Sequence, residues 1–126
     1  MSQSSEIPKI LIADDDLEIQ KMVEAALKPI GADLFFADDG EQAIEKLLVE
    51  KPRLVILDVM MPKLSGWEVA KYIRKHNDLK GMKILILTAI GEKVSDATSP
   101  VVGADDHLDK PFTFEELADR VRALLD

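Results

Sequence analysis

The chain has 126 residues, the size of one domain, and it contains no cysteine, which excludes a disulfide framework, a thiolate metal site and a cysteine nucleophile. With 24 acidic and 16 basic residues the net charge is −8, which argues against nucleic acid or an anionic membrane as the main partner. The longest apolar runs are much shorter than the ~20 residues that a membrane helix needs, and the start of the chain is unlike a signal peptide. We therefore expect a soluble, cytoplasmic protein with a single domain over residues 1–126, of which residues 1–8 are a polar tail.

Short apolar runs predict the strands of a parallel sheet. Continuous apolar runs of this length are typical of strands that are buried on both faces. Four such runs lie at residues 10–13, 34–37, 54–57 and 84–87, and a weaker fifth surrounds residues 107–108.

Helical patterns occupy the intervals between these strands. Apolar residues recur three and four positions apart over residues 19–30 and again over residues 43–48, where Asp39 is placed to cap the helix. The segments 65–68 and 113–116 match the capping box, a hydroxyl residue followed three positions later by Glu, and predict the starts of the third and fifth helices.

The fourth helix is the weakest of the five predictions. The alternation of elements requires a helix over residues 92–102, but Pro100 interrupts this segment and removes a backbone donor.

The order β-α is thus repeated five times. Because crossovers between parallel strands are right-handed, this order predicts an α/β fold with helices on both faces of a parallel sheet.

Polar residues follow the predicted strands at the point where each strand ends. Asp14 and Asp15 follow the first strand, Asp58 the third, Thr88 the fourth and Lys110 the fifth. Taken singly, each could be a helix cap or a solvated side chain. Ligands of open α/β sheets bind at the carboxyl ends of strands, however, and acids crowded at that edge repel each other unless a cation joins them. Three carboxylates suit Mg²⁺, which prefers oxygen ligands.

Four motifs together resemble the receiver domain of two-component response regulators. They are Asp14-Asp15, Asp58 to Pro62 with Gly66 after it, Thr88-Ala89 and Lys110-Pro111. The resemblance extends from about residue 9 to residue 125. It implies a flavodoxin-like sheet of five parallel strands in the order 2-1-3-4-5, flanked by five helices. It also implies a cis peptide bond before Pro111.

The resemblance implies a role for each matched acid. Asp58 would accept a phosphoryl group from a phosphohistidine, carried by a sensor histidine kinase or a phosphotransfer protein. Asp15, Asp58 and the backbone carbonyl of Met60 would bind Mg²⁺ directly, and Asp14 would act largely through water. These residues would make the domain a phosphoacceptor that assists its own phosphorylation and dephosphorylation, rather than an enzyme.

The resemblance also implies a switch. Lys110 would pair with the phosphoryl oxygens, and the Thr88 hydroxyl and the Ala89 amide would donate hydrogen bonds to them. His107 stands where the family usually has Tyr or Phe, an aromatic ring that moves inward together with Thr88. The face formed by the fourth helix, fifth strand and fifth helix would then change its binding of an output protein, which the sequence does not identify. We expect a monomer or a weak, phosphorylation-dependent dimer.

Two other functions remain open. An aspartate-nucleophile phosphohydrolase shares an Asp, a Thr and a Lys after successive strands, but it usually carries a second Asp two residues after the first, where this chain has Met60. A pseudo-receiver would bind partners without ever being phosphorylated, although the complete set of acids, Thr88 and Lys110 argues against it.

Overall fold

The computed structural model describes residues 7–88 and 103–126. The α-helices in these residues are numbered in chain order, so that α4 is the helix that the sequence analysis counted as the fifth. The elements are β1 (Lys9–Ala13), α1 (Leu17–Leu27), β2 (Asp33–Ala37), α2 (Gly40–Glu50), β3 (Leu54–Asp58), α3 (Gly66–Lys75), β4 (Lys83–Thr88), β5 (Asp106–Asp109) and α4 (Phe114–Leu125). The helix predicted over residues 92–102 lies outside the described residues, as does Ala89.

The five strands form one parallel sheet in the order β2-β1-β3-β4-β5, which confirms the predicted flavodoxin-like fold. β3 is the central strand and all five of its residues are buried. Parallel strands that are covered on both faces need continuous apolar sequence, and β1, β3 and β4 have it. β1 and β3 are neighbours, and their carboxyl ends therefore lie side by side.

Alternate residues of each strand contribute to two separate cores. Leu11, Val55 and Ile86 pack with α2 and α3 on one face of the sheet. Ile12, Ile56 and other alternate residues pack with α1 and α4 on the opposite face. Successive side chains of a strand point to opposite faces, so the continuous apolar runs supply both cores at once.

The helix boundaries agree with the sequence signals except at the end of α1. Asp39 caps α2, and the capping boxes of Ser65 and Thr113 are both formed, as predicted. α1 was predicted to continue to Ile30, but it ends at Leu27 and residues Lys28–Ile30 form a 3₁₀ turn. Pro29 lacks the backbone N–H that one more α-helical turn would need. Within the described part of the chain, no helix has the length and apolar character needed to cross a membrane.

Candidate phosphoacceptor and metal site

Three carboxylates converge at the carboxyl edge of the sheet. Asp14 and Asp15 directly follow β1, and Asp58 is the last residue of the neighbouring strand β3. One oxygen from each of the three side chains lies within 4.8 Å of the others. Asp14 is fully buried and Asp58 is 5% exposed, whereas Asp15 is exposed. The site is thus a partly buried acidic cluster with one side open to solvent.

The three consecutive acids after β1 divide into two roles. Asp16 is the N-cap of α1, and its side chain accepts a hydrogen bond from the backbone N–H of Glu18. The backbone N–H of Asp16 in turn donates to Asp14 Oδ1 over 2.9 Å. The side chain of Asp16 therefore caps the helix, while its backbone N–H holds the buried carboxylate of Asp14.

Lys110 brings an ammonium group into the acidic cluster from β5. Its Nζ lies 3.0 Å from Asp58 Oδ1 and 3.1 Å from Asp14 Oδ2. The backbone N–H of Lys110 donates to the carbonyl of Thr88, which aligns the end of β5 with the end of β4. The peptide bond between Lys110 and Pro111 is cis, as predicted.

Burial and charge set the protonation of these groups. Burial, reinforced by the nearby charge of Asp14, raises the pKa of Asp58 to about 6, although the ion pair with Lys110 opposes this shift. Burial also raises the pKa of Asp14. Burial acts to lower the pKa of Lys110, but its hydrogen bond to Asp58 and the two carboxylate charges outweigh burial and raise it. One ammonium group cannot neutralise three carboxylates, so the cluster has an excess of negative charge that suits a divalent cation.

Two glycines allow the loop after Asp58 to pack closely against the rest of the site. A Cβ at Gly66 would collide with the carbonyl oxygen of Asp58, and a Cβ at Gly40 would collide with the carbonyl oxygen of Leu64. The N–H of Gly66 donates to Val59 and that of Gly40 donates to Pro62. The loop that contains Met60 is therefore attached to the first turns of both α2 and α3.

Thr88, at the end of β4, makes a hydrogen bond that the sequence analysis did not anticipate. The strand register pairs Thr88 with Asp109 of β5, and Thr88 Oγ1 donates to Asp109 Oδ1 over 2.6 Å. Thr88 is fully buried, whereas Asp109 is exposed. The signal available in the sequence was an acid directly before Lys110-Pro111, at the edge where the other polar residues lie.

Comparisons with known proteins agree with this architecture. The sequence model of the response regulator receiver domain matches residues 10–122. The chain belongs to the receiver domain family of response regulators. It is 44% identical over 117 residues to "Probable transcriptional regulator ycf27" of Cyanophora paradoxa, a match that covers 93% of this chain and 48% of that protein. It is 42% identical to the alkaline phosphatase synthesis transcriptional regulatory protein PhoP of Bacillus subtilis, over 93% of this chain and 48% of that protein. The chain thus spans about half the length of these curated relatives.

The solved structures support the same family. The chemotaxis response regulator CheY4 of Vibrio cholerae is 31% identical, with a TM-score of 0.86 over 94% of this chain and 99% of that chain. The chain therefore forms a receiver domain of a two-component system, with the fold of CheY-like regulators.

The receiver domain brings together most of the residues that the sequence singled out. The carboxylates of Asp14, Asp15 and Asp58 form one cluster, and Lys110 pairs with two of them, Asp14 and Asp58. Met60 lies two residues after Asp58, in the loop that follows β3, and is 66% exposed. Ala89 lies outside the described residues.

His107 is half-buried and its strand register places it beside Ile86, two residues before the end of β4. Its backbone carbonyl accepts a hydrogen bond from Arg120 of α4 over 2.7 Å. His107 and Asp109 alternate with the buried Leu108, so both lie on the same face of β5 as Thr88 does on β4. The structure thus places His107 on the same face of the sheet as the predicted switch residue Thr88, two register positions before it.

Proposed function

We propose that this receiver domain accepts a phosphoryl group on Asp58 from a sensor histidine kinase or a phosphotransfer protein. The observation that carries the proposal is the position of Asp58 at the end of the central strand, 3.0 Å from Lys110 Nζ and inside a cluster with two further carboxylates. Asp15 is the exposed member of this cluster, and the phosphodonor is proposed to approach from its side.

The transfer forms one bond and breaks one bond. A carboxylate oxygen of Asp58 attacks phosphorus, the new P–O bond forms, and the P–N bond to the donor imidazole breaks. Phosphoryl transfer depends mainly on positioning and on neutralising charge. Lys110 is already in contact with Asp58 and can follow the negative charge to the phosphoryl oxygens, while Thr88 and the amide of Ala89 would donate hydrogen bonds to them.

The donor set fits Mg²⁺, and we assign its binding to Asp15, Asp58 and the carbonyl of Met60, with Asp14 acting largely through water. When bound, the ion neutralises charge on the acids and on the transferring group. The protein's own contribution is to keep Asp14 buried and oriented by the N–H of Asp16, and to attach the loop of Met60 through Gly40 and Gly66.

Phosphorylation is proposed to change partner binding through β5, α4 and the segment predicted to be a helix at residues 92–102. Thr88 and His107 form the switch in this proposal, since both lie on the same face at the carboxyl edge of the sheet. The output partner is proposed to be a protein, and we propose that the domain is either a monomer or a weak dimer that forms on phosphorylation.

Intact mass measured after incubation with Mg²⁺ and acetyl phosphate tests this function. We expect one added phosphoryl group that is labile to base and is lost in the Asp58→Asn variant. Asp33→Asn, which changes an exposed acid on β2, is the matched control and should label like the wild type. Unchanged labelling of Asp58→Asn would overturn the assignment, and sustained turnover of a small phosphate ester would favour a phosphohydrolase instead.

A further inference from the structure

The hydroxyl of Thr88 is already engaged in this structure. Thr88 Oγ1 donates to Asp109 Oδ1 over 2.6 Å, a distance typical of a hydrogen bond to a charged acceptor. Backbone pairing holds the two residues side by side, because the N–H of Lys110 donates to the carbonyl of Thr88 and the register aligns Thr88 with Asp109. The contact therefore follows from the pairing of β4 with β5.

A threonine hydroxyl has only one proton to donate. In the proposed function this proton is donated to a phosphoryl oxygen on Asp58, and the oxygens of a phosphoryl dianion only accept hydrogen bonds. Asp109 and the phosphoryl group are thus two acceptors that compete for one donor. We infer that Asp109 is a positioning residue that holds Thr88 in its unphosphorylated arrangement, so that the bond from Thr88 to Asp109 has to break when Asp58 is phosphorylated. This inference rests on the proposed function.

Asp109 can oppose the phosphorylated state in two ways that different variants separate. Its carboxylate accepts the hydrogen bond of the Thr88 hydroxyl, and its negative charge repels a phosphoryl group whether or not Thr88 is present. Asp109→Asn removes the charge but keeps an acceptor oxygen, whereas Asp109→Ala removes both. The difference between these two variants therefore reports the hydrogen bond.

The affinity for beryllofluoride, a mimic of the phosphoryl group, measures this competition in the presence of Mg²⁺. Because the hydrogen bond is partly exposed to solvent, we expect Asp109→Ala to bind about three- to tenfold more tightly than Asp109→Asn. The difference should vanish when both variants also carry Thr88→Val, which has no hydroxyl. Asp119→Ala removes an exposed acid of α4 and is the control, with the affinity of the wild type.

Three outcomes would contradict the inference or the function on which it rests. Equal affinities of Asp109→Ala and Asp109→Asn, or a difference that persists with Thr88→Val, would overturn the inference alone. No beryllofluoride binding by the wild type would overturn the proposed function and the inference with it.

A second measurement uses the free protein and does not depend on phosphorylation. Three-bond couplings to the Thr88 methyl carbon should show one rotamer in the wild type and rotamer averaging in Asp109→Ala, with the single rotamer restored in Asp109→Asn. A single rotamer in all three proteins would contradict the role of Asp109.

Discussion

Asp58 combines a position that suits its proposed chemistry with an unfavourable effect on stability. Asp58 is 5% exposed at the end of the central strand, and burial raises the pKa of its carboxyl group from 3.8 to about 6. At neutral pH the folded protein must therefore keep a charge that burial disfavours. A buried acid of this kind is common at functional sites, where stability and activity have opposite requirements.

The sign of the pH dependence follows from this shift. The pKa of Asp58 is higher in the folded protein than in the unfolded chain, so the folded state binds more protons as pH falls through about 6. Without Mg²⁺, the Asp58 contribution to the free energy of unfolding should therefore increase from pH 7 toward pH 5.

We expect Asp58→Asn to stabilise the fold at pH 7. The amide imitates the neutral acid, and the pKa shift corresponds to about 1 to 3 kcal/mol in the free energy of unfolding. Urea unfolding with a chelator present, at pH 5 and pH 7, measures the free energy of unfolding. The variant should be more stable than the wild type at pH 7, and its stability should change less with pH. Asp33→Asn should behave as the wild type, and a variant less stable than the wild type at pH 7 would contradict this account.

Local sequence signals determine the ends of most elements. The capping residues Asp39, Ser65 and Thr113 satisfy the first free N–H groups of their helices, and each of these contacts involves residues only a few positions apart. β5 is different, because it has four residues and lies at the edge of the sheet.

Two arginines position β5 and the residues before it. Arg74 of α3 donates to the carbonyl of Gly103 over 2.8 Å and pairs with Asp105 at 2.7 Å. Arg120 of α4 pairs with Asp106 and also donates to the carbonyl of His107. These contacts join residues far apart in the chain, and the short apolar run at residues 107–108 therefore gave only a weak prediction of the strand.

Gly40, the first residue of α2, offers a test of how an element supports the site. A Cβ there would collide with the backbone of Leu64, so Gly40→Ala must displace the loop after Asp58. We expect a loss of about 1 to 3 kcal/mol in the free energy of unfolding and weaker Mg²⁺ binding. Calorimetric titration with Mg²⁺ and urea unfolding measure the two effects.

Gly81→Ala is the matched control, because nothing lies within 4 Å of a Cβ at that position. It should be neutral or slightly stabilising, since alanine reduces the conformational freedom of the unfolded chain. A Gly40→Ala variant with the Mg²⁺ affinity of the wild type would show that the loop does not depend on this contact.

At the scale of the whole molecule, Lys110 connects the acidic cluster with β5 and α4, where partner binding is proposed to change. It contacts Asp14 and Asp58 with its side chain, it is paired with Thr88 through its backbone, and it lies between β5 and α4. A phosphoryl group on Asp58 would give the ammonium a new partner. The ammonium at the end of β5 would then be attracted to different groups in the unphosphorylated and the phosphorylated state.

The Lys110→Ala variant should accept a phosphoryl group to a reduced extent. Its β5 and α4 should not change conformation when Asp58 carries the phosphoryl group. Amide chemical shifts of β5 and α4, measured with and without beryllofluoride, should move in the wild type and stay in place in the variant. Lys83→Ala, an exposed lysine at the opposite end of β4, should respond like the wild type. Shift changes in Lys110→Ala equal to those of the wild type would exclude Lys110 as the connecting residue.

Most of the fold was evident from the sequence because its signals are local or periodic. The continuous apolar runs of β1, β3 and β4 indicated strands buried on two faces, and the caps of α2, α3 and α4 involve neighbouring residues. The place of Asp14, Asp15, Asp58 and Lys110 at one edge also followed, since the parallel order brings all carboxyl ends together.

The tertiary structure alone decided which groups are in contact and how they are charged. The raised pKa of Asp58 depends on its burial and on the charge of Asp14, which comes from another strand. The bond from Thr88 to Asp109 depends on the register of β4 with β5, and the close approach of Gly40 to Leu64 depends on how α2 packs beside the loop. Such contacts join segments that are distant in the chain, and no local pattern in the sequence reports which particular groups will meet.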